Sequence, residues 1–410
     1  MTVRKALLIG TGGFGRNHLN ELVRLQNEGV LALAAVSDLR LTEHAASVVA
    51  ERGIRHYVDY REMLSKEGAA DFVVISTPIQ LHAAMSIDAL EAGFHVLLEK
   101  PPAAAIQDVD RILEAAGRAG KHCAVNFFSP SSTALSLIGS IAASGELGRI
   151  RRLKGIALLK RTNAYFRRTP WAGKLVSSGH LVMDGAFHNP TAHLLYSMLR
   201  LAELIAEVAG RTAAPARVTA ELYHANPIDS DDTSAMRIEM SDGTELTFYV
   251  TLCARQSETQ RIRIEGTDGA LEWGYDDQVN VWSNGTVRSY DCRESAGILE
   301  RRYRNLIRAM DGNDARLDVS LESARRFTLA ANGAFESAVR IKPVTSAGVR
   351  LSSQAEDEPG AYIDGIEATI KEAFAAGKLF SEMGVSWAER SEPFELGDYR
   401  SFPQRFKLTW

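Results

Sequence analysis

Short apolar runs alternate with longer helical patterns over the first 128 residues, and this alternation constrains the fold more than any other feature of the chain. Each run is bounded by glycine, proline or polar turn residues, and runs that are apolar throughout are typical of strands buried on both faces. The pattern predicts an α/β domain, residues 1–128, with a doubly wound parallel sheet. We predict strands at 5–9, 31–36, 56–58, 71–76, 94–98 and 122–127, separated by helices at 14–26, 41–52, 60–65, 81–92 and 106–118.

A glycine-rich turn joins the first predicted strand to the first predicted helix. Its sequence, Gly10-Thr11-Gly12-Gly13-Phe14-Gly15, has the GxGxxG spacing. In such a turn the first glycine allows the tight bend, the second lets the backbone approach a pyrophosphate, and the third lets helix and strand pack closely. The helix N-terminus offers free N–H groups and a positive dipole end to the phosphates. Because the context on both sides is right, we predict a dinucleotide site that includes Gly10, Gly12, Gly13, Phe14 and Gly15.

An acidic residue, Asp38, stands at the end of the second predicted strand. A carboxylate at this place holds the ribose 2′-hydroxyl of NAD and repels the 2′-phosphate of NADP. The alternative interpretation is a helix N-cap in an ordinary turn. Arg40 could accommodate a 2′-phosphate, so NADP stays possible. We predict that NAD is the preferred cofactor.

After residue 128 the pattern changes. A strand is predicted at 150–160 and a long, mostly apolar helix within 181–206, and strand patterns follow one another from Arg217 onward. Turn signals such as Asn284-Gly285 separate several of these strands, as antiparallel hairpins require. Together with helical patterns at 296–310 and 320–339, they predict an α+β domain at 129–340. Residues 341–410 form a C-terminal extension that we expect to pack on the core, with a Ser/Glu/Asp/Pro-rich stretch at 352–360 and a helix at 363–376.

Composition excludes several classes of protein. Lys+Arg 47 against Asp+Glu 51 gives a formal net charge of −4, which argues against a nucleic-acid binder and against a polybasic membrane-surface protein. No apolar run approaches the roughly 18 residues of a membrane span. The cysteines Cys123, Cys253 and Cys292 lie far apart and suit a reducing compartment. We predict a cytoplasmic protein with no nucleic-acid partner, no membrane partner and no metal.

Two further segments are more specific than the glycine turn. Ser76-Thr77-Pro78-Ile79-Gln80-Leu81-His82 ends the fourth predicted strand, and Gly93-Phe94-His95-Val96-Leu97-Leu98-Glu99-Lys100-Pro101-Pro102 spans the fifth. With the glycine turn, these segments resemble the glucose–fructose oxidoreductase/inositol dehydrogenase family (Gfo/Idh/MocA). The resemblance extends from residue 1 to about residue 340. It implies an NAD(P)-dependent oxidoreductase with an N-terminal Rossmann domain and a C-terminal domain built on a large open, mostly antiparallel sheet.

The resemblance also implies site residues in the first domain. It places the lysine of Glu-Lys-Pro, Lys100, beside both the nicotinamide and the substrate, as a catalytic and substrate-binding residue. The residues agree with this, because ligands of doubly wound sheets lie outside the carboxyl ends of strands. A partly desolvated lysine there could exchange a proton or polarise a hydroxyl; the alternative is a solvated lysine in a proline-terminated turn. The further cofactor-binding residues that the resemblance implies are Ser76, Thr77, Pro78, His82, Glu99, Lys100 and Asn126.

The other half of the chemistry is expected from Asp184-Gly185-Ala186-Phe187-His188. The resemblance gives His188 the acid/base role and Asp184 the task of orienting it, both beside the substrate. Histidine titrates in the range that loss of a hydroxyl proton requires. The spacing puts the pair on one face if the stretch is helical. Alternatively Asn189 caps a helix that has Pro190 at its first position, which leaves the pair on a loop. A metal site formed by His180, Asp184, His188 and His193 is the weaker interpretation, because no HExxH-type spacing is present.

The segment Asn163 to Lys174 resembles the family's substrate loop, which follows the first strand of the second sheet. Its polar and aromatic side chains would contact sugar hydroxyls and stack on a ring face, with Asn163, Tyr165, Trp171 and Lys174 as substrate-binding residues. Arg167 and Arg168 fit a basic surface loop nearly as well. Two stretches depart from the family pattern, since Ser129-Pro130-Ser131-Ser132 stands where many relatives have an arginine, and Asn189-Pro190-Thr191 where many have an acid. Both departures leave the identity of the substrate open.

The sequence therefore predicts an NAD-dependent dehydrogenase or reductase acting on a CH–OH group of a sugar, cyclitol or related polyol. Two alternatives remain: a glycosidase that retains NAD through a transient oxidation, and a non-catalytic dinucleotide or sugar sensor. We expect Lys100, Asp184 and His188 to converge on one hydroxyl-bearing carbon. An open antiparallel sheet with one uncovered apolar face also predicts a homodimer or homotetramer formed through that face.

Overall fold

The computed structural model describes residues 3–312, 316–344, 349–350 and 360–408. The chain forms two compact units, Met1–Phe127 with Ser295–Arg325 and Phe128–Glu294 with Arg326–Trp410. The first unit thus includes a segment, 295–325, that the sequence prediction assigned to the second domain. The three-part division of the chain into domains stays a prediction. Of the predicted linker-like stretch at 352–360, all but Gly360 lies outside the described residues.

The first unit is built on a parallel sheet. Its strands are β1 (Arg4–Ile9), β2 (Leu31–Ser37), β3 (Arg55–Tyr57), β4 (Phe72–Ile75), β5 (His95–Leu98) and β6 (Cys123–Val125). The helices that alternate with them are α1 (Gly15–Asn27), α2 (Glu43–Arg52), α3 (Tyr60–Lys66), α4 (His82–Glu91) and α5 (Ile106–Ala119). The strand order is β3-β2-β1-β4-β5-β6 with every pair parallel. This is the Rossmann order, so the predicted doubly wound α/β sheet is confirmed.

The core of this unit follows from the sequence periodicities. On α1, Leu19, Leu22 and Leu25 recur at helical spacing and are fully buried against the sheet. The chain leaves β1 toward one side of the sheet and β4 toward the other, so the strand order reverses between these two strands. Ligands of open α/β sheets bind beyond the carboxyl ends of the strands at this reversal. The glycine turn follows β1 there, and Ser76 follows β4.

The second unit begins with α6 (Ser132–Ser144), a helix that the sequence analysis did not predict. It is followed by β7 (Ile150–Leu158), α7 (Asn163–Arg167), β8 (Val176–Ser177), β9 (His180–Leu181) and α8 (Ala192–Val208). A run of strands comes next: β10 (Pro215–His224), β11 (Thr233–Met240), β12 (Glu245–Thr251), β13 (Arg261–Gly266), β14 (Gly269–Gly274), β15 (Gln278–Ser283) and β16 (Thr286–Asp291). After α9 (Ile298–Met310) of the first unit come α10 (Leu321–Ala338), β17 (Lys342–Pro343), β18 (Val349–Arg350), β19 (Tyr362–Ile363), α11 (Ile366–Ala376) and β20 (Phe394–Glu395).

The strands of the second unit form a ten-stranded sheet. The order is β16-β15-β14-β13-β7-β12-β11-β10-β17, and β20 also pairs with β10. The pairs β7–β12 and β10–β17 are parallel and the other pairs within this sheet are antiparallel. The prediction of a large, mostly antiparallel sheet is therefore confirmed. One face of the sheet packs against α8, and the approach is close: a Cβ built on Gly155 of β7 would lie 2.2 Å from Sδ of Met198.

The opposite face of this sheet does not match the prediction of an uncovered surface. Side chains of α11 and of the segment after it form one buried apolar cluster with residues of β7, β10, β11 and β12. Side chains of the C-terminal extension thus cover part of the face that we expected to be open. Among the described residues, no helix combines the length and the apolar character that a membrane-spanning segment requires.

Candidate active site

The glycine turn of the first unit has the geometry that a phosphate-binding turn needs. Gly10 has φ of +87°, and a Cβ there would lie 2.3 Å from the carbonyl oxygen of Ser76. A Cβ on Gly15, the first residue of α1, would lie 2.2 Å from the carbonyl oxygen of Gly10. Gly12 and Gly13 face open space, so their backbone can be approached by a ligand. Close packing therefore requires glycine at positions 10 and 15. At position 12, the lack of a side chain keeps the backbone accessible to a ligand.

Asp38 follows β2 and lies directly beside this turn. One carboxylate oxygen accepts hydrogen bonds from the backbone N and from Oγ1 of Thr11, both at 2.8 Å, and the other accepts the backbone N of Arg40 at 3.1 Å. The N-cap of α2 is Thr42, so the alternative interpretation of Asp38 as a helix cap is wrong. The carboxylate is held by main-chain donors at the mouth of the glycine turn, and its contact with a ribose stays a prediction.

Glu99, which the resemblance assigned to the cofactor site, is the centre of a buried hydrogen-bond network. Its Oε1 faces Nε2 of His18 at 2.8 Å and accepts a hydrogen bond from Nδ2 of Asn126. Nδ1 of His18 in turn lies 2.6 Å from the hydroxyl of Tyr303. Burial opposes ionisation of Glu99, but the hydrogen bonds from His18 and Asn126 outweigh it and hold its pKa below the usual range. Sequence reasoning missed His18 and Tyr303, because neither belongs to a motif.

His82 joins the two motif segments of the first unit. Its Nδ1 lies 2.9 Å from the carbonyl oxygen of Pro101, and its Nε2 lies 2.8 Å from that of Thr77. The ring is buried, and this burial lowers the pKa of His82. His82 therefore ties the turn after β4 to the turn after β5, where Lys100 is half-buried and its backbone N donates to Oε2 of Glu99. The peptide bond between Lys100 and Pro101 is cis.

These features fit a bound dinucleotide. The cradle at Gly12 and Gly13 leaves room that a side chain would fill, and Asp38 offers acceptors at its edge. Oδ1 of Asn126 is buried and finds no hydrogen-bond partner within the described part of the chain, which marks a place for a donor from a ligand. The individual assignments of Ser76, Thr77, Pro78, His82, Glu99, Lys100 and Asn126 to cofactor binding stay predictions.

In the second unit, Asp184 and His188 lie on a turn and not on a helix. Helix α8 begins at Ala192 with Thr191 at its N-cap position, so the pair precedes it by a full turn of chain. The alternative of a loop is therefore correct, while the detail that Asn189 caps the helix with Pro190 at its first position is wrong. The backbone N of Asp184 donates to the carbonyl oxygen of Lys174 at 2.8 Å, and that of Ala186 donates to the carbonyl oxygen of Asp231 at 2.9 Å. The turn is fixed from both sides by neighbouring loops.

The carboxylate of Asp184 is a hub for the substrate loop. Nη2 of Arg168 donates to its two oxygens at 2.9 and 2.7 Å, and the backbone N of Gly173 donates to Oδ2 at 2.7 Å. Nδ2 of Asn189 donates to Oδ1. These partners lie in the loops around the turn, and the orienting role of Asp184 toward His188 stays a prediction. Asn189, noted above as a departure from the family pattern, contributes a donor to this hub.

The aromatic residues of the loop surround Arg168. Its guanidinium lies 4.0 Å from the ring centre of Tyr165 and 5.3 Å from that of Trp171. Burial raises the pKa of Tyr165 to about 12, so the phenol stays protonated at neutral pH. Arg168, for which the sequence left a basic surface loop as a nearly equal alternative, is the partner that neutralises Asp184. Its nearness to two aromatic residues in the sequence was the available signal.

His188 is buried among aromatic side chains of the second unit. Its ring centre lies 5.7 Å from that of Phe327 and 6.4 Å from those of Phe187 and Phe335. The structure describes no group of three or more His, Cys, Asp or Glu side chains that could hold a metal ion. Lys100 lies in the first unit and Asp184 and His188 in the second, so their convergence on one carbon stays a prediction.

Asp231 is a buried acid that sequence reasoning missed. It lies two residues before β11, and a Cβ built on Gly185 of the Asp184–His188 turn would lie 1.8 Å from its Oδ1. Oγ of Ser234 donates to its Oδ2 at 2.6 Å. Burial, together with the neighbouring charge of Asp232, raises the pKa of Asp231 to about 7. In the sequence it appears as one acid of an Asp-Asp pair in a loop, without a signal that separates it from a solvated residue.

A cavity of about 610 Å³ opens beside this turn within the second unit. It shares Gly173 and Lys174 with the hub around Asp184. Of the four residues predicted to bind substrate in the loop, Asn163 and Lys174 line the cavity, whereas Tyr165 and Trp171 flank Arg168 instead. The remaining polar residues of its wall are Arg167, His224, Asn226 and Asp229.

Comparison with known proteins gives two matches to family models. A model of the GFO/IDH/MocA oxidoreductase family with an NAD-binding Rossmann fold matches residues 4–127. A model of the GFO/IDH/MocA C-terminal domain matches residues 137–272. The two models together span both sheets.

Characterised relatives match over a shorter part. The 4-carboxy-2-hydroxymuconate-6-semialdehyde dehydrogenase of Sphingobium sp. is 32% identical over 141 residues, which cover 34% of this chain and 43% of the relative. The alpha-N-acetylgalactosaminidase of Shewanella oneidensis is 33% identical over 138 residues, which cover 30% of this chain and 28% of the relative. The matched stretch is thus less than half of either relative.

Solved structures share the fold over most of the chain. The WlbA dehydrogenase from Bordetella pertussis, in complex with NADH and UDP-GlcNAcA, has a TM-score of 0.68 and 23% identity, covering 82% of this chain and 96% of its own. An oxidoreductase from Agrobacterium radiobacter, in complex with NAD+, L-tartaric acid and magnesium, has a TM-score of 0.65 and 19% identity, covering 82% and 96%.

Proposed function

The chain belongs to the GFO/IDH/MocA family of NAD-binding oxidoreductases, and we propose that it transfers a hydride between NAD and a CH–OH group of a sugar, cyclitol or related polyol. The observation that carries the proposal is the cavity of the second unit, whose wall carries polar and charged side chains. It includes the amide group of Asn163, which can both donate and accept, and the carboxylate of Asp229, while the amide of Asn226 is bonded to Asp232 and to the backbone N of Ala361. A compound with several hydroxyl groups needs such a mixture, because each hydroxyl both donates and accepts.

The charge of the cavity wall favours an acidic member of this substrate class. Among the described residues of the wall, Lys174 and Arg167 carry positive charges and Asp229 carries a negative charge. The WlbA and Agrobacterium radiobacter proteins were solved with UDP-GlcNAcA and L-tartaric acid, and both ligands are acids. We therefore propose a polyhydroxyl substrate with a carboxylate or phosphate group that Lys174 contacts.

Each residue has a separate part in the proposed reaction. NAD, when bound, supplies the hydride acceptor. The glycine turn and Asp38 hold the dinucleotide, and an imidazole nitrogen of His188 takes the hydroxyl proton as hydride leaves the carbon. Asp184, neutralised by Arg168, keeps the turn that carries His188 in place. Lys100 polarises the reacting hydroxyl.

A panel of neutral and acidic sugars and polyols, each with NAD and with NADP, tests the proposal through the absorbance of NADH. We expect one or more panel members to give NADH in excess over enzyme. Hydrolysis of an aryl glycoside without accumulation of NADH would instead support the NAD-retaining glycosidase. This alternative is retained because the Shewanella oneidensis relative is an alpha-N-acetylgalactosaminidase. Binding of NAD and sugar without turnover of any panel member would support the sensor.

The charge of Lys174 is tested by Lys174→Gln. Loss of a charge-assisted hydrogen bond is worth about 1.5–3 kcal/mol, so KM for an acidic substrate should rise about 10-fold or more while KM for its neutral analogue stays constant. The matched control is Lys378→Gln, an exposed lysine of the same unit that is absent from the cavity wall. Equal effects of Lys174→Gln on both substrates would contradict the acidic class and leave the polyol proposal intact.

A further inference from the structure

A segment of the C-terminal extension covers one face of the large sheet with apolar side chains. We call residues 361–388 the sheet-covering segment. It supplies α11 and the chain after it, and its buried cluster contains Phe374, Leu379 and Phe380. The sheet side of the cluster comes from four adjacent strands, with Ile156 and Leu158 of β7, Tyr249 of β12, Ala235 of β11 and Tyr223 of β10. Phe380 is fully buried, and its ring centre lies 6.4 Å from those of Tyr223 and Tyr249.

The polar groups on the same face also find their partners in this segment. Nζ of Lys154, a residue 3% exposed, donates to the carbonyl oxygen of Ala375 at 3.2 Å. The buried carboxylate of Glu221 accepts a hydrogen bond from the backbone N of Ser381 at 3.1 Å and another from its hydroxyl. Lys154 also pairs with Oε1 of Glu265 on β13 at 2.7 Å, whereas the carboxylate of Glu221 would be expensive to leave buried without the bonds from Ser381. The segment therefore provides hydrogen-bond partners for the charged groups of this face as well as apolar side chains for its apolar area.

The same extension protects the exposed edge of the sheet. Strand β17 pairs with the end of β10 at His224, and β20 pairs with its beginning at Arg217. An unpaired edge strand offers a row of free N–H and C=O groups to another chain. Two short strands of the extension occupy part of this row on β10. These two strands therefore leave less of β10 free to pair with a strand of a second copy of the chain.

The rest of the face is polar and paired within the sheet itself. On β13 and β14, Arg263 lies 3.3 Å from Glu265 and Arg261 lies 3.7 Å from Glu272. The guanidinium of Arg263 also lies 4.9 Å from the ring centre of Trp282 on β15. Among the described residues of β13 to β16, Val287 is the one large apolar side chain that is exposed. Charged side chains thus make up much of the described part of the face that the segment leaves uncovered.

We infer that the sheet-covering segment takes the place of a second subunit, so that this chain is a monomer in solution. A two-fold dimer built on this face would have to displace Phe380 and its neighbours and remove the hydrogen bonds that Ala375 and Ser381 make to Lys154 and Glu221. The apolar area that pairing two such faces would bury is already buried within one chain. This inference concerns assembly alone and does not depend on the proposed reaction. It replaces the homodimer or homotetramer that the sequence predicted from an open sheet.

Light scattering on the full chain after size exclusion is the first test. We expect a mass of 44.9 kDa at all micromolar concentrations. A stable dimer or tetramer would overturn the inference. This measurement uses the intact protein, so it decides the question even where a variant fails to fold.

The variant Phe380→Glu is the second test, because it places a charge among Tyr223, Tyr249 and the carboxylate of Glu221. We expect the segment to be released, seen as new protease cleavage within 361–388, and the exposed face to drive the variant to dimers or larger species. Glu372→Ala, on the exposed side of α11, is the matched control and should stay monomeric and protease-resistant. A released segment with a monomeric mass, or a segment that stays resistant in Phe380→Glu, would contradict the inference.

Discussion

Replacing Asp231 with asparagine should make the second unit more stable, and increasingly so as pH rises. Asparagine has the shape of a protonated aspartic acid and cannot ionise. Its oxygen can keep the hydrogen bond from Oγ of Ser234, which lies 2.6 Å from Oδ2. Its amide group then occupies the place of Oδ1, where Oγ of Ser230 lies at 3.4 Å and can accept. The variant therefore removes the buried charge without removing the packing against Gly185.

The magnitude follows from the difference in pKa between the folded and unfolded states. Burial raises the pKa of Asp231 from 3.8 to about 7, so the folded protein binds more protons than the unfolded chain between these values. Stability from the protonated acid is fully present below the unfolded pKa and is lost as pH rises through the folded pKa. A shift of about three units corresponds to about 4 kcal/mol in total, of which about 3 kcal/mol is lost between pH 5 and pH 8. The advantage of Asp231→Asn should grow by that amount over this range.

Urea unfolding at pH 5, 6, 7 and 8, followed by tryptophan fluorescence, measures this difference. The tryptophans among the described residues, at positions 171, 273, 282 and 387, lie in the second unit, so their signal reports the unit that contains Asp231. Asp229→Asn, in the same loop but exposed, controls for the loss of a loop carboxylate. A difference between Asp231→Asn and the wild type that is constant or shrinks with rising pH would refute the reasoning.

Three further outcomes are expected. Gly15→Ala should lower the melting temperature of the first unit, because its Cβ would lie 2.2 Å from the oxygen of Gly10, whereas Gly12→Ala should not; equal melting would contradict the geometry. NAD should bind more tightly than NADP in calorimetric titration, and Asp38→Ala should narrow or invert this preference; a wild type that binds NADP as well as NAD would point to Arg40 instead. His188→Ala should lower turnover about 10²–10⁴-fold with NAD affinity unchanged, and Asp184→Asn should keep the fold but slow turnover; wild-type turnover in His188→Ala would move the acid/base role to Lys100 or Tyr165.

The fold of the first unit could be predicted almost completely because its signals are local. Each buried parallel strand is a continuous apolar run, and the turn residues between strand and helix are glycine, proline or aspartate. The contribution of α9 could not be predicted, since Tyr303 reaches His18 across 285 positions of sequence. The sequence of an amphipathic helix does not indicate which core its apolar side will pack against. The same reason hides the covered face of the second sheet, because the periodicity of α11 is compatible with many apolar surfaces.

The site was predictable where a family motif supplies the residue and not where tertiary contacts do. The glycine turn, Glu99 and the Asp184–His188 turn could be proposed from short sequence patterns, and their roles stay predictions. Asp231 and His18 were missed, and the role of Arg168 was left open, because these roles depend on a distant partner or on burial. An arginine beside aromatic residues and an acid beside another acid are usually solvated, and sequence alone gives no reason to treat these two differently.

The contacts of Asp184 give a physical reason for an aspartate four residues before the histidine that does not require a direct bond between them. Its carboxylate is held by Arg168 and by the backbone N of Gly173, while the backbone of the same turn is held at Ala186 by Asp231. These bonds join three loops that meet at the turn, so the backbone that carries His188 is fixed before any ligand binds. An imidazole whose main chain is fixed in this way loses little freedom when it engages a hydroxyl, which is how positioning lowers a reaction barrier. We therefore propose that the aspartate acts on the histidine through the loop, and that its charge is stabilised by Arg168, whose guanidinium lies beside Tyr165 and Trp171.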